Sequence, residues 1–278
     1  MKIEIPVFED LLLSIADEQN GHSLYPTTRL QKGLLLSYRG QDLAEEAVGF
    51  GLPVIKSGLQ TIFPGKVKLA LLHQDPQWTI AADYSLNRVE KIARPNTTGV
   101  KNKFLYAAKN VLAALIRHFP LLRAPLTAFS SQLRRTFGWE TIYDAAGVCF
   151  AVNLVYTLDP IKGSLLVEAG LTSPLPDAVT EMILMNEQGA HFFDQYRDSS
   201  GKCLLGKEIG CWDEVTADYA SFTSSSHQIA FTLPRRSGAR LFRGRELVDS
   251  RLAWSGFGYS FPPSTGRFSY TLNLEKLP

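Results

Sequence analysis

The chain has 278 residues, 45% of them apolar and 11% aromatic, enough for one large domain or two intimate ones around a real core. Its formal charge is only +2, so a strongly basic or acidic whole is excluded. The three cysteines, Cys149, Cys203 and Cys211, form no CxxC pair, which argues against a disulfide framework or a structural zinc site.

The start, Met1-Lys2-Ile3-Glu4-Ile5-Pro6, lacks a basic segment followed by an apolar run, so no signal peptide is expected. No stretch approaches the roughly 20 apolar residues of a membrane span. The expectation is a soluble, cytoplasmic protein with thiols, no cofactor and no bound metal. Cys203 and Cys211 read either as small buried hydrophobes or as a pair across a hairpin.

In chain order, Pro6 to Glu18 reads as a short helix with Leu11, Leu12 and Ile15 on one side. Leu34, Leu35 and Leu36 form an apolar run leading to Tyr38. The acidic turn Asp42 to Glu46 leads into a strand in which Gly49 and Gly51 flank Phe50. Glycines so placed mark a bulge or a close approach. After a Pro64-Gly65 turn, Val67, Leu69 and Leu71 alternate with polar neighbours. Trp78, Ile80, Ala82, Tyr84 and Leu86 then alternate over a long strand.

The stretch from Lys91 to Trp139 is different. It holds nine basic residues and no acid, and without it the chain carries twenty basic against twenty-seven acidic groups, a net −7. Phe104, Ala108, Val111, Leu112, Leu115, Ile116 and Phe119 recur at helical spacing, and Leu126, Phe129, Leu133 and Phe137 give a second run. The pattern predicts a basic helical hairpin inserted at about 98–138 in a single β-rich domain, 1–278. Either its apolar stripes pack inward with Lys and Arg in water, or 101–137 docks an anionic polymer or a membrane surface.

Strands resume beyond it. Val148 to Leu158 is apolar on most of both faces and reads as central. Leu165 to Ala169, Val179 to Met185, and Phe192 to Tyr196 follow. The turn Asp198-Ser199-Ser200-Gly201 returns through Cys203-Leu204-Leu205 as a hairpin. Ile229 to Leu233, Ala239 to Phe242 and Phe268 to Leu274 complete the run. With no βαβ alternation, the fold class is mainly β: a large antiparallel β-sandwich with a helical hairpin insertion.

Familiar catalytic signatures are absent: no phosphate loop, HExxH or GxSxG, and the five histidines are scattered. Two polar concentrations remain. Glu208-Ile209-Gly210-Cys211-Trp212-Asp213-Glu214 surrounds Trp212 with carboxylates. Such a set grips a sugar, whose ring stacks on indole while acids accept its hydroxyl protons. A carboxyl desolvated by Trp also suits a general acid. The same residues also fit a solvated turn with one Trp anchor. Arg243 and Arg245 alternate in a strand and so share a face, with Trp254 following. They can fork onto a carboxylate or phosphate, or pair internally with Asp213, Glu214 or Glu208. Arg39, Asp42, Glu45 and Glu46 make a third, sparser set.

Long alternating strands, Trp-flanked carboxylates and strand arginines in a chain of this size resemble the β-supersandwich proteins of carbohydrate metabolism. These are the galactose-mutarotase-like epimerases and the sandwich domains of heparinase-type lyases. The resemblance lies in architecture outside 91–139. It implies a carbohydrate-binding or carbohydrate-processing protein, epimerase- or lyase-like, in which a histidine and a carboxylate share acid/base work. On that reading His191 (or His227) with Glu208, Asp213 or Glu214 would be catalytic, and Trp212, Arg243, Arg245 and Trp254 would bind substrate. The partner would be a sugar or an anionic polysaccharide, and no nucleic acid is expected. The other reading is a non-enzymatic protein whose basic hairpin docks an anionic polymer, membrane surface or protein.

Overall fold

Period-two alternation writes most of this molecule. The computed structural model describes residues 1–8, 10–17, 31–45, 47–57, 60–93, 141–171, 179–249 and 252–277. Among them lie eighteen strands and only two short 3-10 helices, Gly206–Ile209 and Pro263–Thr265. Contacts divide the chain into two compact units, Met1–Val89 with Ala145–Pro278, and Glu90–Asp144. The expected helical hairpin at 98–138 lies outside the described residues.

The strands are β1 (Lys2–Phe8), β2 (Leu11–Ala16), β3 (Leu35–Tyr38), β4 (Gln41–Asp42), β5 (Gly49–Ser57), β6 (Gln60–His73), β7 (Trp78–Ala93), β8 (Thr141–Asp159) and β9 (Ser164–Leu171). Then come β10 (Val179–Gln188), β11 (Phe193–Asp198), β12 (Cys203–Leu205), β13 (Asp213–Glu214), β14 (Tyr219–Ser224), β15 (Ile229–Pro234), β16 (Arg240–Asp249), β17 (Leu252–Phe261) and β18 (Arg267–Lys276).

The amino-terminal helix expected over Pro6 to Glu18 is instead the hairpin β1–β2, and the order β1-β2-β3-β4 makes a small sheet. Leu11, Leu12 and Ile15 fit one side of a helix, but Leu11, Leu13 and Ile15 fit one face of a strand. The second pattern wins because Ile3, Ile5 and Val7 supply the matching face across the hairpin, and all six are buried. Pro64-Gly65 is likewise no turn. β6 runs through it with a register shift between Pro64 and Lys66, a bulge that absorbs the missing proline donor.

The large sheet has fourteen strands in the order β12-β11-β14-β15-β18-β9-β8-β7-β6-β5-β10-β17-β16-β13. β8 is central, as its two apolar faces suggest. The sheet folds over a single aromatic core. Phe231 meets Phe50, Phe193 and Phe257, and Phe222 meets Tyr196 and Phe257, at centroid distances of 4.8–5.9 Å. The two end strands, β12 and β13, are consecutive in sequence, joined through the helix Gly206–Ile209. The Arg245 backbone N–H on β16 donates to the Gly210 carbonyl at 2.9 Å. The ribbon's two ends therefore meet at one seam.

Cys203 and Cys211 are both exposed, so neither is the buried small hydrophobe expected. Among the described residues no helix is long and apolar enough to cross a membrane.

Candidate functional site

Register decides which face each side chain uses. On β17, Trp254, Gly256, Gly258 and Ser260 share one face, and Ala253, Ser255, Phe257, Tyr259 and Phe261 point to the core. β10 brings Glu187 opposite Gly256 and Met185 opposite Gly258. β16 brings Gly244 opposite Gly256, and Glu246 opposite Trp254. The face away from the core thus carries a glycine floor between Glu187 and Glu246.

Trp212 and Trp254 sit on that floor, their rings 5.5 Å apart and tilted by 31°. A β-carbon on Gly258 would lie 2.6 Å from Trp212 Cζ3, and one on Gly244 would lie 2.8 Å from Trp254 Cη2. Only glycine lets the indoles lie so close to the sheet. Trp254 is buried and Trp212 is 36% exposed, so Trp212 presents the open aromatic surface and Trp254 backs it. Trp212 holds φ +58, a left-handed backbone that a non-glycine residue adopts only under constraint.

Glu187 is 4% exposed. Burial pushes its carboxyl up to about 8; Glu246 pushes it further, while a hydrogen bond from the Val48 N–H and the Lys32 charge pull it back. At neutral pH it is largely protonated and able to donate. Lys32 Nζ donates to the Glu45 carbonyl at 3.1 Å. The Glu45 carboxylate holds His191 Nδ1 at 2.6 Å and accepts from the His191 backbone N–H at 3.2 Å. Further along the same face, Glu181 binds Lys56 at 2.8 Å and Arg240 at 3.3 Å. An open cavity of about 590 Å³ lies there, beside Ser260, Phe261 and Pro262.

The eight residues singled out in the sequence fall into five places. Trp212 and Trp254 form the open platform. Arg243 and Arg245 point the opposite way, into the seam, because they alternate with Gly244 on β16. Arg243 donates to Asp213 at 3.2 Å and lies 4.9 Å over the Tyr196 ring. Arg245 donates to the Ala190 carbonyl at 2.9 Å. Glu214 stands opposite Phe242 in the register and lines a cavity of about 450 Å³ with Asp218, Arg235 and Arg236. Glu208 is spent on its own helix, accepting from the Leu205 N–H at 3.2 Å. His191 pairs with Glu45, and Glu46 lies outside the described residues.

Glu187 escaped sequence reasoning. Its one local signal is the polar run Asn186-Glu187-Gln188 ending an apolar strand, all three buried.

The class of fold is then plain: mainly β, built on one large antiparallel sheet, with an architecture-level likeness to part of a solved carbohydrate-enzyme structure. No family model matches the chain, and no curated protein matches it. Among solved structures it is similar to the α-N-acetylgalactosaminidase NagBb from Bifidobacterium bifidum, in complex with GalNAc, at 8% identity and a TM-score of 0.52. That match covers 99% of this chain and 36% of that one. An α-mannosidase from Enterococcus faecalis V583 matches at 10% identity and a TM-score of 0.48, over 99% of this chain and 29% of its own. A protein described as a candidate aldose 1-epimerase from Escherichia coli K12 matches at 8% and 0.43, over the full length of both. The chain spans little more than a third of the glycosidase it matches first, at 36%. Identity this low speaks for the fold alone.

Proposed function

We propose that this is a carbohydrate-binding or carbohydrate-processing protein that holds a sugar against the open face of β10, β17 and β16. The observation that carries the reading is the Trp212–Trp254 pair seated on Gly258 and Gly244, on the same face as Glu187 and Glu246. A flat apolar indole offers a pyranose its C–H face, and carboxyl groups beside it take the hydroxyls. Binding is the part of the reading that the open face carries, since Glu187 is buried, at 4% exposure, and Glu246, opposite Trp254 in the register, is the carboxylate left beside the indoles. A fold shared with part of a glycosidase supports the carbohydrate setting and no particular reaction.

The test is a glycan array, followed by titration of the best sugar against the wild type, Trp212→Ala and Glu187→Gln. The expected result is binding weakened about tenfold by the loss of one stacked aromatic, with Glu187→Gln, a buried change, binding as the wild type does. Equal binding by the wild type and Trp212→Ala, or no sugar bound by the wild type, overturns the reading.

A further inference from the structure

The opposite, inward face of the same two strands poses a separate question. Among the described residues, three buried side-chain atoms have no hydrogen-bond partner: Arg243 Nε, Arg245 Nε and Ser255 Oγ. They are not scattered. Arg245 stands opposite Ser255 in the β16–β17 register, and Arg243 is the next residue on the same face of β16. Three unfilled groups on one patch, each able to donate, are a donor set for one acceptor.

The surroundings do not supply that acceptor. Gln188, opposite Ser255 on its other side, is turned to other partners: Oε1 accepts from the Leu36 N–H and Nε2 donates to the Leu34 carbonyl, each at 3.2 Å. Arg243 spends Nη2 on Asp213 and its cation face on Tyr196. Arg245 spends Nη2 on a neutral carbonyl. Asp194 and Glu45 act on Arg245 only through space, and burial draws its guanidinium below its ordinary value. Asp213, itself half exposed, is the one carboxylate among the described residues in direct contact with this patch, and it reaches only Arg243; the half-buried Arg245 meets none. Guanidinium N–H groups buried without an acceptor are destabilising, and an anion that joins them relieves this.

We infer that Arg243, Arg245 and Ser255 form a binding site for one small inorganic anion, chloride in the first instance, enclosed beneath the seam where the ends of the large sheet meet. The size follows from the enclosure: Arg243 Nε, Arg245 Nε and Ser255 Oγ are all buried, which leaves room beside them for an acceptor of one or a few atoms only. Enclosure of all three donors excludes an anion carried on a large ligand, so this site is distinct from the sugar face. The anion would neutralise the arginine pair and hold β16 against β17 directly beneath the Trp254 platform.

The test is thermal unfolding while chloride rises from about 1 to 100 mM, with methanesulfonate holding ionic strength constant. A second measurement is X-ray diffraction from crystals grown in bromide, read for anomalous signal. The expected result is a saturating rise in Tm of about 2–4 °C, with bromide density between the two Nε atoms. Ser255→Ala separates the alternatives even where an arginine variant fails to fold. If an anion is held, the variant loses the chloride response. If none is, deleting an unsatisfied buried hydroxyl leaves Tm unchanged or raised and the salts indistinguishable. A wild-type Tm indifferent to which anion is present, or an ordered water in place of bromide, overturns the proposal.

Discussion

Arg243 and Asp213 face each other in the β16–β13 register and are joined at 3.2 Å, yet the Arg243 side chain is 6% exposed and that of Asp213 55%. The pair is a bolt driven from inside the sandwich into its last, two-residue strand. What fixes the bolt is planar chemistry: one edge of the guanidinium meets the carboxylate and its face lies on Tyr196. Arg243→Lys keeps the charge and loses both geometries. We expect it to cost about 1–3 kcal/mol in chemical denaturation. A variant as stable as the wild type would show that charge alone secures β13.

The indoles depend on the floor beneath them. Gly258→Ala places a methyl where Trp212 Cζ3 now lies and must lift that ring. The expected outcome is a loss of about 1–3 kcal/mol and a red-shifted tryptophan emission as the ring gains water.

Glu187 gives a pH signature. Its folded value of about 8 exceeds the ordinary 4.5. Between those values the folded chain therefore holds a proton that the unfolded chain has released, and stability falls as pH rises through that window. It is full below about 4.5 and levels off above about 8. Glu187→Gln accepts the same Val48 N–H without a charge. Its Tm should draw ahead of the wild type progressively from pH 5 to about 8. Parallel Tm curves across that range would count against a buried, titrating carboxyl.

The basic stretch 91–139 has its own test. Replacing Lys101, Lys103, Lys109, Arg117, Arg134 and Arg135 by Gln should lower the salt needed to elute the protein from heparin. Exposed charges, worth about 0–1 kcal/mol each to folding, act together on an anionic surface within roughly 10 Å. Unchanged elution with a large fall in Tm would assign these charges to the fold.

Strand reading succeeded where one face is buried, as in Trp78 to Leu86 and Phe268 to Leu274, since alternation itself records the core. It failed at Leu11, Leu12 and Ile15, where helix and strand periods coincide over a few residues and only pairing with Ile3, Ile5 and Val7 decides. At the site, Trp212 and Trp254 were legible as chemistry but not as a stacked pair. Their meeting depends on Gly244 and Gly258, which no local pattern marks as a floor. Arg243 and Arg245 were rightly given a shared face, but nothing local says that this face is the inner one. Glu187 was illegible because its burial comes from the Lys32–Val48 segment, far away in the chain.

β7 and β8 are side-by-side neighbours in the sheet, although 94–140 separates them in sequence. A tight turn of a few residues would connect the same two strands, and closing a long loop instead costs only slowly more as it lengthens. The sandwich therefore has no topological need of that segment. Excising 94–140 should leave the Trp212–Trp254 face and the Arg243–Arg245 seam assembled, which a tryptophan emission unchanged from the full chain would check.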